Sequence, residues 1–221
     1  MKRFLPLLLC ASLMLAGCSL LSSFWSADGD ETAQTLAWDG MEKFESGKYE
    51  KAKEAFEKLK DWYPYSKYAI LAELKIADAH YRLQEYEEAI FAYEEFESLH
   101  PRNEAISYVI YQVGRCYFEQ IDAPDRDQVS TRKALDTFGR LIRDYPDDTY
   151  AVKAREHINT CLRSLAESEF RIGLYYYNSK RYRAALGRFQ NILIKYPDVG
   201  VHQRALQYLA LTEEALIKAT P

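Results

Sequence analysis

The sequence contains little of what catalytic and metal-binding sites are built from. Its four histidines, His80, His100, His157 and His202, lack the i, i+4 spacing of a helical metal site, and we expect them at surface or turn positions. There is neither a glycine-rich phosphate-binding loop nor a Gly-x-Ser-x-Gly nucleophile elbow. The many carboxylates fall in runs that are typical of solvated helix faces. We therefore predict no enzymatic activity, no metal and no cofactor.

Basic clusters, alternating strand patterns and long apolar runs are also scarce. The chain has 29 basic and 33 acidic residues and no basic stripe, so nucleic acid is a poor candidate partner. Almost no Val-rich alternation is present, which argues against β-sheets. The apolar run from Phe4 to Ala16 covers about thirteen residues, too few for a membrane-spanning helix, which needs roughly 20. Preceded by Lys2 and Arg3, this run is typical of a secretory signal peptide.

The end of that run, Leu15-Ala16-Gly17-Cys18, resembles a bacterial lipobox. In such a motif the cysteine thiolate takes up a diacylglycerol, and the small residues before it fit the signal peptidase. We therefore expect residues 1–17 to be a lipoprotein signal peptide, Cys18 to be lipidated and residues 18–32 to form a tether. Ser19 in place of Asp resembles the signal for sorting to the outer membrane. The alternative is an ordinary signal peptide with a chance cysteine.

One spacing recurs four times along the chain: an alanine, an aromatic residue four positions later and a proline twelve positions after the alanine. The copies are Ala52–Phe56–Pro64, Ala89–Tyr93–Pro101, Ala134–Phe138–Pro146 and Ala185–Phe189–Pro197. A small residue, Gly40, Ala77, Gly114 or Gly173, precedes each copy, where it lets two helices approach closely. The pattern matches the tetratricopeptide repeat, a helix pair of about 34 residues. It predicts an all-α superhelix of antiparallel helix pairs.

Two departures from a regular array follow from the distances between the copies. Surplus residues between the helices of the third pair predict an inserted loop at residues 120–130. Residues 149–178 contain no proline, so we expect one long helix there. Val201 to Lys218 is amphipathic and predicts a C-terminal capping helix. The chain is thus expected to have a front half, residues 33–148, and a back half, residues 149–221.

Cys116 and Cys161 are the cysteines that remain once Cys10 leaves with the signal peptide and Cys18 is lipidated. On the repeat frame they lie about 14 helical positions out of register, or roughly 21 Å. A disulfide needs Cα atoms within about 7 Å. We therefore expect buried free thiols, although an oxidising compartment leaves a disulfide open.

The first helices of the repeats predict an aromatic groove that binds an extended peptide. The predicted aromatic groove consists of Phe44, Leu74, Tyr81, Arg82, Tyr111, Arg115 and Phe118, with Asp78 and Glu119 as polar neighbours. Large rings bury much area at low entropic cost, which suits a peptide with large side chains. The alternative is that these rings pack only against neighbouring hairpins.

Taken together, these features resemble the BamD, or ComL-like, family of lipoproteins of the outer-membrane β-barrel assembly machinery. Its most specific marks are Asp125-Arg126-Asp127 in the inserted loop, the Tyr-Pro repeat ends and the long helix. The resemblance implies a lipid-anchored scaffold on the periplasmic face of the outer membrane. Such a scaffold docks on the periplasmic domains of a BamA-like insertase, joins other lipoproteins of the complex and receives unfolded outer-membrane proteins.

The resemblance also implies which residues bind the partner. Arg188 matches a basic residue that the family uses against an acidic group on the insertase, and an arginine there could make a bidentate contact. Asp125, Arg126 and Asp127 are expected to join it. The alternative is another periplasmic tetratricopeptide lipoprotein, such as an adaptor for cell-wall enzymes or a secretin pilotin, which should lack the acid–arginine–acid loop and the long helix.

Overall fold

The computed structural model describes residues 32–219, and within this range the regular structure consists of nine α-helices and no strand. The helices are α1 Ala33–Glu45, α2 Tyr49–Trp62, α3 Ala69–Arg82, α4 Tyr86–Leu99, α5 Ile106–Glu119, α6 Val129–Asp144, α7 Thr149–Asn178, α8 Tyr182–Lys195 and α9 His202–Ala219. The all-α fold is therefore confirmed. Cys18 and the predicted signal peptide lie outside the described residues. None of the nine helices combines the length and the apolar character that a bilayer crossing requires.

The described residues divide into two compact units, the first ending at Ala72 and the second beginning at Glu73, within α3. In the first unit α1 packs against α2. In the second unit each helix from α4 to α9 packs against the next, and α5 also contacts α7. The division into a front half at residues 33–148 and a back half at 149–221 stays a prediction.

The repeated alanine and aromatic residues form the centre of each helix pair. All four alanines and all four aromatic residues of the spacing are fully buried. A Cβ atom built on Gly40, Gly114 or Gly173 would lie 2.7, 2.5 or 2.6 Å from the ring of Phe56, Phe138 or Phe189. Real Cβ atoms do not approach other atoms so closely, so each ring occupies the place of the missing side chain. The predicted role of the small residues is confirmed in these three pairs.

Three helix pairs turn through a single residue with a left-handed backbone. This residue is Gly47 between α1 and α2, Gln84 between α3 and α4, and Lys180 between α7 and α8, with φ angles of 73°, 63° and 59°. In the first turn, the Lys48 N–H donates to the Lys43 carbonyl at 2.9 Å, a helix-ending bond that the left-handed residue permits. Each second helix then ends two residues before its signature proline.

The predicted departures from a regular array are confirmed. A loop of residues 120–128 joins α5 to α6, and Val129 already belongs to α6. The helix α7 has 30 residues and covers the predicted range, beginning where the Asp148 side chain accepts a hydrogen bond from the Tyr150 N–H at 2.7 Å. The helix α9 begins one residue later than predicted and buries Ala205 and Thr212 against the rest of the second unit.

Cys116 and Cys161 are free and buried, as expected. Burial raises the pKa of the Cys116 thiol to about 12 and that of the Cys161 thiol to about 11. Both thiols are therefore kept protonated and unreactive at neutral pH.

Candidate protein-docking surfaces

In the second unit, part of the predicted aromatic groove is a half-buried cluster around Arg115. The Arg115 guanidinium lies 5.1 Å from the centre of the Tyr81 ring, and its Nη2 donates to Glu119 Oε1 at 2.6 Å. The Tyr81 hydroxyl donates to the same oxygen at 3.2 Å. Burial is the main cause that raises the pKa of Tyr81. Arg115 Nε is buried and has no acceptor among the described residues. The side chains of Tyr81, Arg115 and Glu119 thus hold one another in place, and each of them stays partly exposed.

In a second part of the groove, Tyr111 belongs to the protein core and Phe118 packs against that core. Tyr111 is only 7% exposed, and its hydroxyl lies 3.1 Å from His157 Nε2. Phe118 is half-buried, with its ring centre 4.5 Å from that of His157. The His157 ring stacks on Phe138 with 5.2 Å between the ring centres. Burial, and then the charge of Arg115, lower the pKa of His157, so its neutral form is favoured. The expectation that His157 lies at the surface or in a turn was wrong.

Asp78 is also in the core, although the sequence places it among the polar neighbours of the groove. It is 4% exposed and accepts hydrogen bonds from the hydroxyls of Tyr93 at 2.6 Å and Tyr108 at 2.7 Å. Gln112 Nε2 donates to the Tyr108 hydroxyl at 3.0 Å, and Lys75 Nζ lies 2.8 Å from the Asp78 carboxylate. In the second helix pair, which has a tyrosine where the others have phenylalanine, Asp78 thus accepts the hydrogen bond of the buried hydroxyl.

The remaining groove residues differ in exposure. Leu74 is half-buried and Arg82 is exposed, both on α3 in the second unit. In the first unit, Phe44 is half-buried and meets Tyr49 edge-on at 5.2 Å between ring centres.

The first unit also has an apolar cleft of about 140 Å³ that the sequence does not reveal. This cleft is lined by Ala37, Trp38, Met41, Tyr68 and Leu71.

The acid–arginine–acid loop between α5 and α6 contains a tight turn. The Arg126 N–H donates to the Ala123 carbonyl at 2.9 Å, which closes a β-turn with Pro124 at its second position. Asp127 Oδ1 accepts a hydrogen bond from the Val129 N–H at 3.0 Å, at the start of α6. Asp125 lies 3.9 Å from Arg171 of α7. Both acids of the motif therefore have partners within the chain.

Gln128, which follows this motif, has a structural role that the sequence does not indicate. It is 4% exposed, and its side chain makes hydrogen bonds with the loop, with α6 and with α7. A glutamine in a polar loop gives no sign of burial in the sequence. The one sequence feature that could have indicated its role is its position directly before α6, a helix whose first turn carries no acidic residue.

Arg188 lies on α8 and is already engaged within the second unit. Its Nη1 donates to both carboxylate oxygens of Glu169 on α7, at 3.1 Å each. The side chain keeps 37% of its surface exposed. A guanidinium has five N–H donors, so the remaining ones stay available to a second acceptor.

Among the described residues, no three His, Cys, Asp or Glu side chains gather in a way that could hold a metal ion.

Comparison with solved structures supports the fold. The chain superposes on the TPR2AB-domain:pHSP90 complex of yeast Sti1 with a TM-score of 0.53 and 15% identity, over 86% of this chain and 73% of that chain. At this identity the likeness shows the tetratricopeptide fold alone.

Sequence comparison goes further. The outer membrane protein assembly factor BamD of Caulobacter vibrioides is 33% identical over 164 residues, which are 74% of this chain and 54% of that protein. The protein of the same name from Rickettsia prowazekii is 31% identical over 196 residues, which are 89% of this chain and 77% of that protein. The chain thus spans about half of the first relative and three quarters of the second. The model of the YfiO family, described as outer membrane lipoprotein, matches residues 30–219. Because that match includes every residue that the structure describes, the chain belongs to the YfiO family of outer membrane lipoproteins.

Proposed function

We propose that this protein is a lipid-anchored scaffold subunit of the complex that assembles β-barrel proteins in the outer membrane. The observation that carries the proposal is the family match over residues 30–219, together with relatives named outer membrane protein assembly factor BamD. These names describe an assembly factor and not a reaction, which supports a non-catalytic role. Cys18 would carry the lipid and hold the chain at the periplasmic face of the membrane, with residues 18–32 as the tether.

The proposed partner is a BamA-like β-barrel insertase, with other lipoproteins of the same complex. Its docking surface would include Arg188 and the acid–arginine–acid loop. The exposure of Arg188 supports this role, because the guanidinium can bind a partner carboxylate through N–H groups that Glu169 does not use. A contact of this kind would be electrostatic and would weaken as the salt concentration rises.

The proposed clients are unfolded outer-membrane proteins. They would bind along the aromatic groove, whose accessible side chains in the second unit are Leu74, Tyr81, Arg82, Arg115 and Phe118. Phe44 would provide a separate contact in the first unit. Tyr111 would not contact the client but would hold the neighbouring groove side chains in place, since its ring is buried and its hydroxyl is hydrogen-bonded to His157.

Affinity purification from native membranes tests the proposed complex. The tagged lipoprotein is extracted in mild detergent, and the chains that co-purify are identified by mass. A stoichiometric β-barrel protein with N-terminal periplasmic domains is the expected result. Recovery of cell-wall hydrolases or a secretin, without such a barrel protein, would contradict the proposal.

Arg188→Glu tests the docking surface in the same assay. We expect it to lower the recovery of the insertase at raised salt about tenfold, as the loss of a charged interface contact does. Arg183→Glu, at an exposed position on the same helix, is the matched control and should leave recovery unchanged. Exchanging the charges, with Arg188→Glu and Glu169→Arg together, restores the internal ion pair but not the contact. If this exchange restores full recovery, Arg188 has only an internal structural role.

A further inference from the structure

The side chain of Gln128 holds both ends of the turn in the acid–arginine–acid loop. Its Nε2 donates to the Ala123 carbonyl at 3.1 Å and to the Arg126 carbonyl at 3.2 Å, which are the first and last residues of the β-turn. Its Oε1 accepts from Thr131 Oγ1 at 2.9 Å and from Ser164 Oγ at 3.1 Å. All these bonds are made by one buried amide, so the turn is fixed to α6 and to α7 at once.

Arg126 is the charged residue that this arrangement leaves pointing to solvent. Its backbone N–H and carbonyl are both used within the loop, and its side chain is exposed. Asp127 is bound to the start of α6, and Asp125 faces Arg171. Across the described residues, the Arg126 guanidinium has no hydrogen bond or ion pair. Both acids of the loop are exposed but have partners within the chain, whereas the arginine side chain has none among the described residues.

One stretch of α7 connects this loop with Arg188. Ser164 donates a hydrogen bond to Gln128 of the loop, Arg171 lies near Asp125, and Glu169 between them accepts hydrogen bonds from Arg188 of α8. The loop and Arg188 are 60 or so positions apart in sequence, yet both are tied within about two turns of the same helix. Ser164 and Arg171 are seven positions apart and share one face of α7, whereas Glu169, five positions after Ser164, lies about 140° around the helix. A partner that reaches around this stretch of α7 could therefore meet both arginines.

We infer that Gln128 is a positioning residue, which holds the α5–α6 loop so that Arg126 binds a carboxylate on the same protein partner that Arg188 contacts. This inference rests on the proposed docking function. Rigid presentation matters because a guanidinium that is already placed loses less conformational freedom when it binds. The partner group is a carboxylate because it complements a planar cation with several N–H donors.

A double-mutant cycle tests the inference on the full-length lipoprotein. The probe is the purified β-barrel insertase with its periplasmic domains, and its dissociation constant is measured in mild detergent. Arg126→Ala should weaken binding about tenfold, as the loss of a charged interface contact does. Gln128→Met, which keeps the volume but removes every hydrogen bond of the amide, should weaken it about fivefold. In the Arg126→Ala background, Gln128→Met should add nothing, because its effect passes through Arg126.

Two further variants separate positioning from general stability. Gln128→Glu keeps the acceptor oxygens but cannot donate to the two turn carbonyls, so it should behave like Gln128→Met. Gln120→Met removes one amide bond to the Cys116 carbonyl at the other end of the loop and should leave binding unchanged. Amide hydrogen exchange should speed up at Arg126 in the Gln128 variants while the helices keep their protection.

Three results would overturn the inference. Binding of the Arg126→Ala variant at full strength would show that the loop arginine does not meet the partner. An undiminished effect of Gln128→Met in the Arg126→Ala background would show that Gln128 acts on the fold alone. Unchanged exchange at Arg126 in the Gln128 variants would show that the amide does not hold the turn. If Arg188→Glu still weakens binding, the proposed function survives each of these results; if it does not, the docking proposal fails as well.

Discussion

Three of the helix pairs turn within a few residues, whereas the pair formed by α5 and α6 turns through the loop at residues 120–128. Each tight turn has one left-handed residue and three backbone hydrogen bonds. The loop is longer than the fold requires, and ordering each extra residue costs roughly 1–2 kcal/mol of backbone entropy. A buried glutamine, a proline turn and a capping aspartate offset this cost. An ordered loop that the scaffold does not need points to a function outside the scaffold.

The largest expected effect concerns the helix contact beneath the loop. Gly114→Leu should destabilise the protein by about 3 kcal/mol, because its side chain would have to displace the buried Phe138 ring. Urea unfolding followed by circular dichroism measures the change. Gly187→Ala is the matched control, since a Cβ atom on this helical glycine meets nothing within 4 Å. It should stabilise the protein by about 0.5–1 kcal/mol. Equal losses for both variants would contradict the close contact.

The next largest expected effect is a change in stability at the left-handed residues of the tight turns. Gly47→Ala should cost about 1 kcal/mol, because an L side chain is strained at the left-handed backbone of this turn. Lys180→Gly should relieve the same strain in the α7–α8 turn, for a net gain of about 0.5 kcal/mol after the added entropy of the unfolded chain. Neither change should alter partner binding. Thermal unfolding measures both, and a loss of stability in Lys180→Gly would show that the lysine side chain has a role beyond the turn.

The smallest effect is a pH dependence in the core of the loop-bearing pair. The pKa of His157 is lowered in the folded protein from its ordinary value of 6.5. Its contribution to stability is therefore complete above pH 6.5 and is lost as the unfolded chain takes up the proton below that pH. The melting temperature should fall less between pH 7.5 and pH 5.5 in His157→Phe than in the unmodified protein. An identical slope in both would show that His157 does not titrate differently on folding.

The comparison also shows what a sequence can predict. The spacing of Ala52, Phe56 and Pro64 and of its later copies predicts the helix pairs, because burial and helix ending depend on residues close together in the chain. The long helix α7 follows from the absence of proline. Gln128 and His157 could not be found in this way. Their partners, Ser164 for one and Tyr111 for the other, come from helices that meet only in the folded protein.

Asp78 illustrates a different limit. An acidic residue on an amphipathic helix is expected at the surface, and only the position of the tyrosine hydroxyls makes its burial favourable. Likewise, the sequence does not indicate the ion pair between Arg188 and Glu169, because it does not give the register of α7 against α8. Whether Arg188, the acid–arginine–acid loop and the aromatic groove bind partners stays a prediction.

Replacing the loop by a tight turn tests the central claim most directly. In this variant residues 120–128 are exchanged for the Ser46-Gly47-Lys48 turn of the first helix pair, and affinity purification from native membranes is repeated. We predict a protein with unchanged helix content that recovers less than about a tenth of the insertase, because the loop serves docking and not folding. Full recovery of the insertase by a folded variant would contradict the account.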